Sequence, residues 1–143
     1  MFPDVKELRA LSGAEKQPYQ QMSGLSLAFI GDAAYELLVR QYVLSFGEAR
    51  VQELHRATVD FVNAAFQAKA AELLADMLTE EELSYYKRGR NANASHTPKN
   101  KSEAEYHRAT GFEALFGYLY LAERFGRMEE LFHIIMQSAE ELS

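Results

Sequence analysis

The 143-residue chain contains no cysteine. That excludes disulfide staples, thiolate metal sites and a cysteine nucleophile, and it fits a cytosolic home. No apolar run reaches the roughly 18 uncharged residues that a membrane span needs. The opening segment MFPDVKELRA carries Asp4 and Glu7 and no long apolar stretch, so no secretory signal is expected. Val, Ile and Thr are sparse, and no sustained alternation of apolar and polar residues occurs, which argues against strands. Histidine chemistry is poorly supported. His55, His96, His107 and His133 show no ligand spacing such as HxxxH, and no GxSxG or phosphate-loop pattern exists for a base to serve.

What is present reads as a helical protein, with a single domain expected over residues 1–143. Hydrophobic residues make up 48% of the chain and charged residues 25%, the balance of a soluble globular protein with a core of its own. The expected fold class is all-α, a helical bundle. A short helix is expected over Asp4 to Leu11. A strongly apolar one follows from about Leu25 to Phe46; its apolar residues surround the wheel, which places it at the centre of the bundle. A third is expected from Arg50 to Met77, with Val51, Leu54, Val59, Val62, Phe66, Leu73 and Leu74 facing inward. Thr79 with Glu82, and Ser102 with Glu105, form capping-box patterns that open two further helices, the second running to about Phe125. A last helix covers Met128 to Leu142. Between the two capped helices, Gly89 to Lys101 reads as a loop of about a dozen residues, long enough to suggest a functional role.

The charge is unevenly spread. The chain carries −6 overall, with 15 Lys and Arg against 21 Asp and Glu. Lys87, Arg88, Arg90, Lys99 and Lys101 all fall in KRGRNANASHTPKNK, together with His96 and no acid. Fifteen bases less these five leaves ten against 21 acids, so the remainder carries −11. One basic island in so acidic a chain points to an anion-facing surface. Arg and Lys would meet phosphates, while Asn91 and Asn93 offer amides to sugar or base edges. The plainer reading is a solvated lysine-rich loop.

Most carboxylates have ordinary explanations. Glu80, Glu81, Glu82, Glu103 and Glu105 sit in first helical turns, where the helix dipole favours negative charge. Asp32 and Glu113 differ. Asp32 lies in LAFIGDAAYELL and Glu113 in TGFEALFGYLYL, each nearly alone among apolar residues, where a carboxylate is costly without a partner. Small residues flank both: Ala28 and Gly31 beside Asp32, Ala109 and Gly117 one turn either side of Glu113. Small neighbours let another helix approach, so the two acids could converge on one cation. Hard oxygen ligands without thiolate or paired imidazole suit Mg²⁺ or Mn²⁺. Equally, each acid could bond a buried backbone group or pair with Arg40, Arg56 or Arg108. Glu36, one turn beyond Asp32, reads as part of a supporting ion pair.

These same segments resemble a known family. LAFIGDAAYELLVR resembles the signature helix of the ribonuclease III family, and TGFEALFGYLYL its second acidic motif, in which Glu is followed by Ala-Leu and a Gly. LHRATVDFVNAAFQAK, RGRNANA followed by PKN, and FEALFGYLYL are similar, in the same order, to blocks of its short bacterial branch, mini-ribonuclease III. The resemblance spans roughly residues 20 to 125. It implies an all-helical ribonuclease III endonuclease domain, homodimeric, which hydrolyses phosphodiesters in double-stranded RNA with Mg²⁺ and lacks a separate RNA-binding domain. Asp32 matches the catalytic Asp of the signature helix and Glu113 the metal-binding Glu of the second motif. The substrate implied is the precursor of large-subunit (23S) ribosomal RNA. The chain departs from the fuller family pattern at three positions: Leu25 and Ala28 stand where further glutamates are usual, and Thr110 where an Asp is usual.

The expectation is therefore a cytoplasmic endoribonuclease. Asp32 and Glu113 would hold the metal, and Lys87, Arg88, Arg90, Asn91, Asn93, Lys99 and Lys101 would grip duplex RNA. The rival expectations are a non-catalytic RNA-binding or ribosome-assembly module that has kept the fold, and a purely structural helical dimer.

Overall fold

The structure, a computed structural model, describes residues 18–92 and 103–143. Its elements are α1 (Gly24–Leu44), α2 (Val51–Val62), α3 (Ala64–Leu74), α4 (Glu80–Arg90), α5 (Glu103–Leu121), α6 (Phe125–Gln137) and α7 (Ala139–Leu142). Single 3₁₀ turns stand at Tyr19–Gln21 and Ala75–Met77. Among the described residues there is no strand, so the fold is all-α. No helix among them is long and apolar enough to cross a membrane. The expected Asp4–Leu11 helix and the Ser102 cap lie outside the described residues.

The centre of the molecule is the pair α1 and α5, with α3 and α4 laid along α5. Tyr35 of α1 is fully buried and meets Phe112, Phe116 and Phe132 edge-on, with ring centroids 4.8, 5.3 and 6.1 Å away. Its hydroxyl donates to the Phe61 carbonyl at 2.7 Å, which ties α1 to the end of α2. A buried phenol with a partner fills the core without stranding a polar atom.

Local chemistry sets the boundaries. Ser23 caps α1 by accepting from the Ser26 N–H at 3.1 Å. The Thr79–Glu82 capping box is complete, with Thr79 N–H donating to Glu82 Oε1 at 2.9 Å and Glu82 N–H to Thr79 Oγ1 at 3.1 Å. Glu82 is also buried against Arg127, whose Nε donates to Oε2 at 2.8 Å. The helix expected over Arg50 to Met77 is two helices. Asn63 leaves the helical region (φ −76°, ψ 157°), and its Oδ1 accepts from the Phe66 N–H at 2.8 Å. Its Nδ2 donates back to the carbonyls of Val59 and Asp60. One side chain therefore closes α2 and opens α3, a local alternative that Asn offers the backbone. At the other end, α4 runs two residues further than expected, to Arg90, so Gly89 and Arg90 are helical.

Two expectations about burial are corrected. Val51 and Val59 are exposed (64% and 56%), because α2 covers α1 through Leu54 and Thr58 and turns both valines outward. The central helix α1 is buried along one side only: Leu25, Phe29, Leu37 and Leu44 stand in solvent, Phe29 at 79%. Its apolar wheel therefore spans a face the chain buries and a face it leaves open.

Candidate active site

Two glycines bring the two acids together. A Cβ placed on Gly31 of α1 would lie 1.6 Å from the Glu113 carbonyl oxygen, and one on Gly117 of α5 would lie 2.0 Å from the Leu27 carbonyl oxygen. At this crossing the two backbones touch. Only residues without Cβ permit that. Asp32 follows Gly31 on α1, and Glu113 precedes Gly117 by one turn on α5. The carboxyls of Asp32 and Glu113 consequently face each other, one from each helix.

The electrostatics of the pair are unbalanced. Glu113 is partly buried, Asp32 exposed. Burial, then the hydrogen bond and charge of Asp32, push the Glu113 carboxyl up to about 8, against a smaller opposing pull from the Gln67 amide. Among the described residues no protein cation pairs with either acid. Arg40 is engaged with Glu36 of its own helix (2.6 Å), and Arg108 with Glu72 of α3 (2.8 Å). Two carboxyl groups held together with no protein cation beside them offer oxygen donors of the kind a hard divalent cation takes. Among the described residues no group of three or more His, Cys, Asp and Glu that could hold a metal ion gathers. Leu25 is exposed and Ala28 buried. The Thr110 hydroxyl is turned to its own helix, donating to the Tyr106 carbonyl at 3.0 Å.

Gln67 escaped the sequence reading. It lies on α3, 3% exposed, beside Glu113, and its Nε2 completes no hydrogen bond with any protein atom. A signal was available: Phe66, Gln67, Ala70, Ala71 and Leu74 form the inward stripe of α3, and Gln67 is the polar member.

The basic segment divides. Lys87 is exposed at the last turn of α4. Arg88 points elsewhere: one of its terminal nitrogens donates to the carbonyls of Gln20 and Met22, both at 3.0 Å, and its guanidinium lies 4.7 Å from the Tyr85 ring centroid. It fastens the 3₁₀ turn before α1. Arg90 is half-buried over Tyr86, and its Nε donates to Asn91 Oδ1 at 3.1 Å. Asn93, His96, Lys99 and Lys101 lie outside the described residues.

With this geometry in hand, the comparisons with known proteins agree with one another. The Ribonuclease III domain family matches residues 25–124. The mini-ribonuclease 3 of Enterococcus faecalis is 47% identical over 115 residues, 79% of this chain and 87% of that one. The mini-ribonuclease 3 of Clostridium tetani is 41% identical over 129 residues, 90% of this chain and 85% of that one. A crystal structure of a Fusobacterium nucleatum protein superposes with a TM-score of 0.76 at 32% identity, covering 85% of this chain and 99% of the other.

Proposed function

From the premise that the chain belongs to the ribonuclease III family and is an endoribonuclease of double-stranded RNA, we propose that Asp32 and Glu113 are the groups through which it cuts. The observation that carries this reading is the side-by-side placement of the two carboxylates at the Gly31–Gly117 crossing, with no protein cation between them. Their hard oxygens fit Mg²⁺, with Mn²⁺ as a substitute. When bound, such an ion supplies an activated water and offsets charge on the phosphate.

The chain's own residues do the rest. Asp32, exposed, presents its carboxylate to the RNA side of the site, while Glu113 anchors the pair from within the bundle. Tyr35, Phe112 and Phe116 form the rigid floor that holds α1 against α5. Lys87 and Arg90, with Asn91, Asn93, Lys99 and Lys101, track the phosphate backbone. Recognition is by A-form shape and 2′-hydroxyls, because the deep groove of RNA is closed to side chains.

The working unit in this proposal is a homodimer. Leu25, Phe29, Ala33 and Leu37 recur every four residues along α1, all exposed, and Tyr120 of α5 stands beside them. Ile30, Ala33, Ala34, Leu37 and Tyr120 line a depression of about 210 Å³. A two-fold copy lets each projecting Phe29 enter the other's depression, since an isologous interface uses one patch twice. Asp32 lies less than one turn beyond Phe29, so the pairing sets two sites near the axis, one per strand. The substrate we carry with this reading is the precursor of large-subunit ribosomal RNA in the cytoplasm, which rests on the sequence resemblance.

The test is incubation with a labelled RNA duplex and its separate strands, in Mg²⁺ or in EDTA. The proposal expects cutting of the duplex alone, and only with Mg²⁺. An intact duplex with salt-sensitive binding would instead establish a non-catalytic RNA-binding module.

A further inference from the structure

The third helix at the site contributes a side chain that neither packing nor charge explains. Gln67 is 3% exposed on the face of α3 that lies along α5. A primary amide has two N–H donors and an acceptor to satisfy, and the Gln67 Nε2 has no partner in the protein. Burying an unpartnered amide is costly, and an apolar side chain of the same length would avoid that cost. Yet the residue stands among Phe66, Ala68, Ala70 and Ala71, where an apolar side chain would be expected. Its amide lies beside the Glu113 carboxyl. A buried donor set beside a carboxyl group, with no other partner, is placed to hold that group's orientation. A neutral donor also suits this site, because a third acid would add repulsion to a pair already lacking a counter-ion.

We propose that Gln67 is a positioning residue of the active site, its amide N–H securing the Glu113 carboxylate in the orientation in which Glu113 and Asp32 share a divalent cation. Being buried, it acts through Glu113 and does not meet RNA. This rests on the reading that the two carboxylates bind an ion, and groups that orient metal ligands typically govern affinity by about 10–100-fold.

The test uses Mn²⁺ binding to the RNA-free protein, followed by electron paramagnetic resonance, for wild type, Asp32→Asn and Gln67→Met. Methionine keeps the length and removes the donor. The expected result is a Kd about 10–100-fold higher for Gln67→Met, with an unfolding temperature in EDTA equal to or above that of wild type, since an orphaned amide has been removed. Wild-type affinity in Gln67→Met, with binding lost in Asp32→Asn, overturns the role of Gln67 and leaves the carboxylate site standing. No Mn²⁺ binding by wild type overturns both. A second measurement does not depend on the variant folding. The side-chain amide resonances of Gln67 in the wild-type protein should move on Mg²⁺ addition with the midpoint of ion binding, and resonances that stay in place contradict the proposal.

Discussion

Gly31 is pressed against the backbone of Glu113: a Cβ at position 31 would overlap the Glu113 carbonyl oxygen at 1.6 Å. The atom it would meet is main chain on a packed helix, so it cannot swing aside. Gly31→Ala should therefore force α1 from α5, separating Asp32 from Glu113. The expected cost is at least the roughly 1–3 kcal/mol of an overpacked core, together with loss of duplex cleavage. Urea unfolding and a cleavage assay read both, and an alanine variant with unchanged stability and activity would refute the close crossing.

Stability of the metal-free protein should fall as pH rises. The Glu113 carboxyl, at about 8 in the folded state, lies above its ordinary value of 4.5. Between those limits the folded protein holds a proton that the unfolded chain has released, so raising the pH favours unfolding. The loss begins near the unfolded value and is complete once the folded carboxyl ionises. Glu113→Gln should flatten that dependence in EDTA, and a divalent ion should reverse it in wild type. Thermal unfolding from pH 4 to 9, with and without Mg²⁺, checks both statements.

The exposed stripe on α1 carries its own prediction. Phe29 is 79% exposed, so Phe29→Asp removes no core contact and should leave the fold intact. On the proposed pairing, sedimentation should report a dimer for wild type and a monomer for the variant. A variant that remains dimeric would move the interface to another surface.

Neighbouring bases on α4 should behave differently from each other. Arg88 is hydrogen-bonded to the carbonyls of Gln20 and Met22, so Arg88→Ala should destabilise the protein by about 2 kcal/mol. Lys87→Ala should leave stability alone and lower the slope of log affinity against log salt by about one, the signature of a lost phosphate contact. Equal salt slopes in both variants, with no loss of stability in Arg88→Ala, would return Arg88 to the RNA-facing set.

The legible parts of this protein are those written in short-range chemistry. Thr79 and Glu82 announce a capping box because the two side chains needed lie three residues apart, and nothing distant alters it. Asp32 and Glu113 stand out because a carboxylate in an apolar stretch has few alternatives, and Gly31 and Gly117 beside them mark where helices can touch. Other features depend on which surface meets which. The break at Asn63 is hidden because Val59, Val62 and Phe66 keep a helical spacing across it. Phe29 reads as core in a helical wheel, since apolar character does not distinguish a face buried by the same chain from one left open. Gln67 is marked in the sequence only as the polar member of an apolar stripe; its place beside Glu113 emerges once α3 is known to lie along α5. Arg88 looks like its basic neighbours until the carbonyls of residues 20 and 22 are found within its reach.

The most direct measurement of the central claim is the single-turnover rate of duplex cleavage by Asp32→Asn beside wild type, in saturating Mg²⁺, with duplex affinity measured on the same samples. Asparagine keeps the shape of the side chain and removes its charge. The account predicts unchanged duplex affinity with cleavage slower by about 10²–10³-fold or more, the scale on which loss of one preorganised electrostatic group acts. Cleavage by Asp32→Asn at the wild-type rate would contradict it, and would place the chemistry somewhere other than the carboxylate pair.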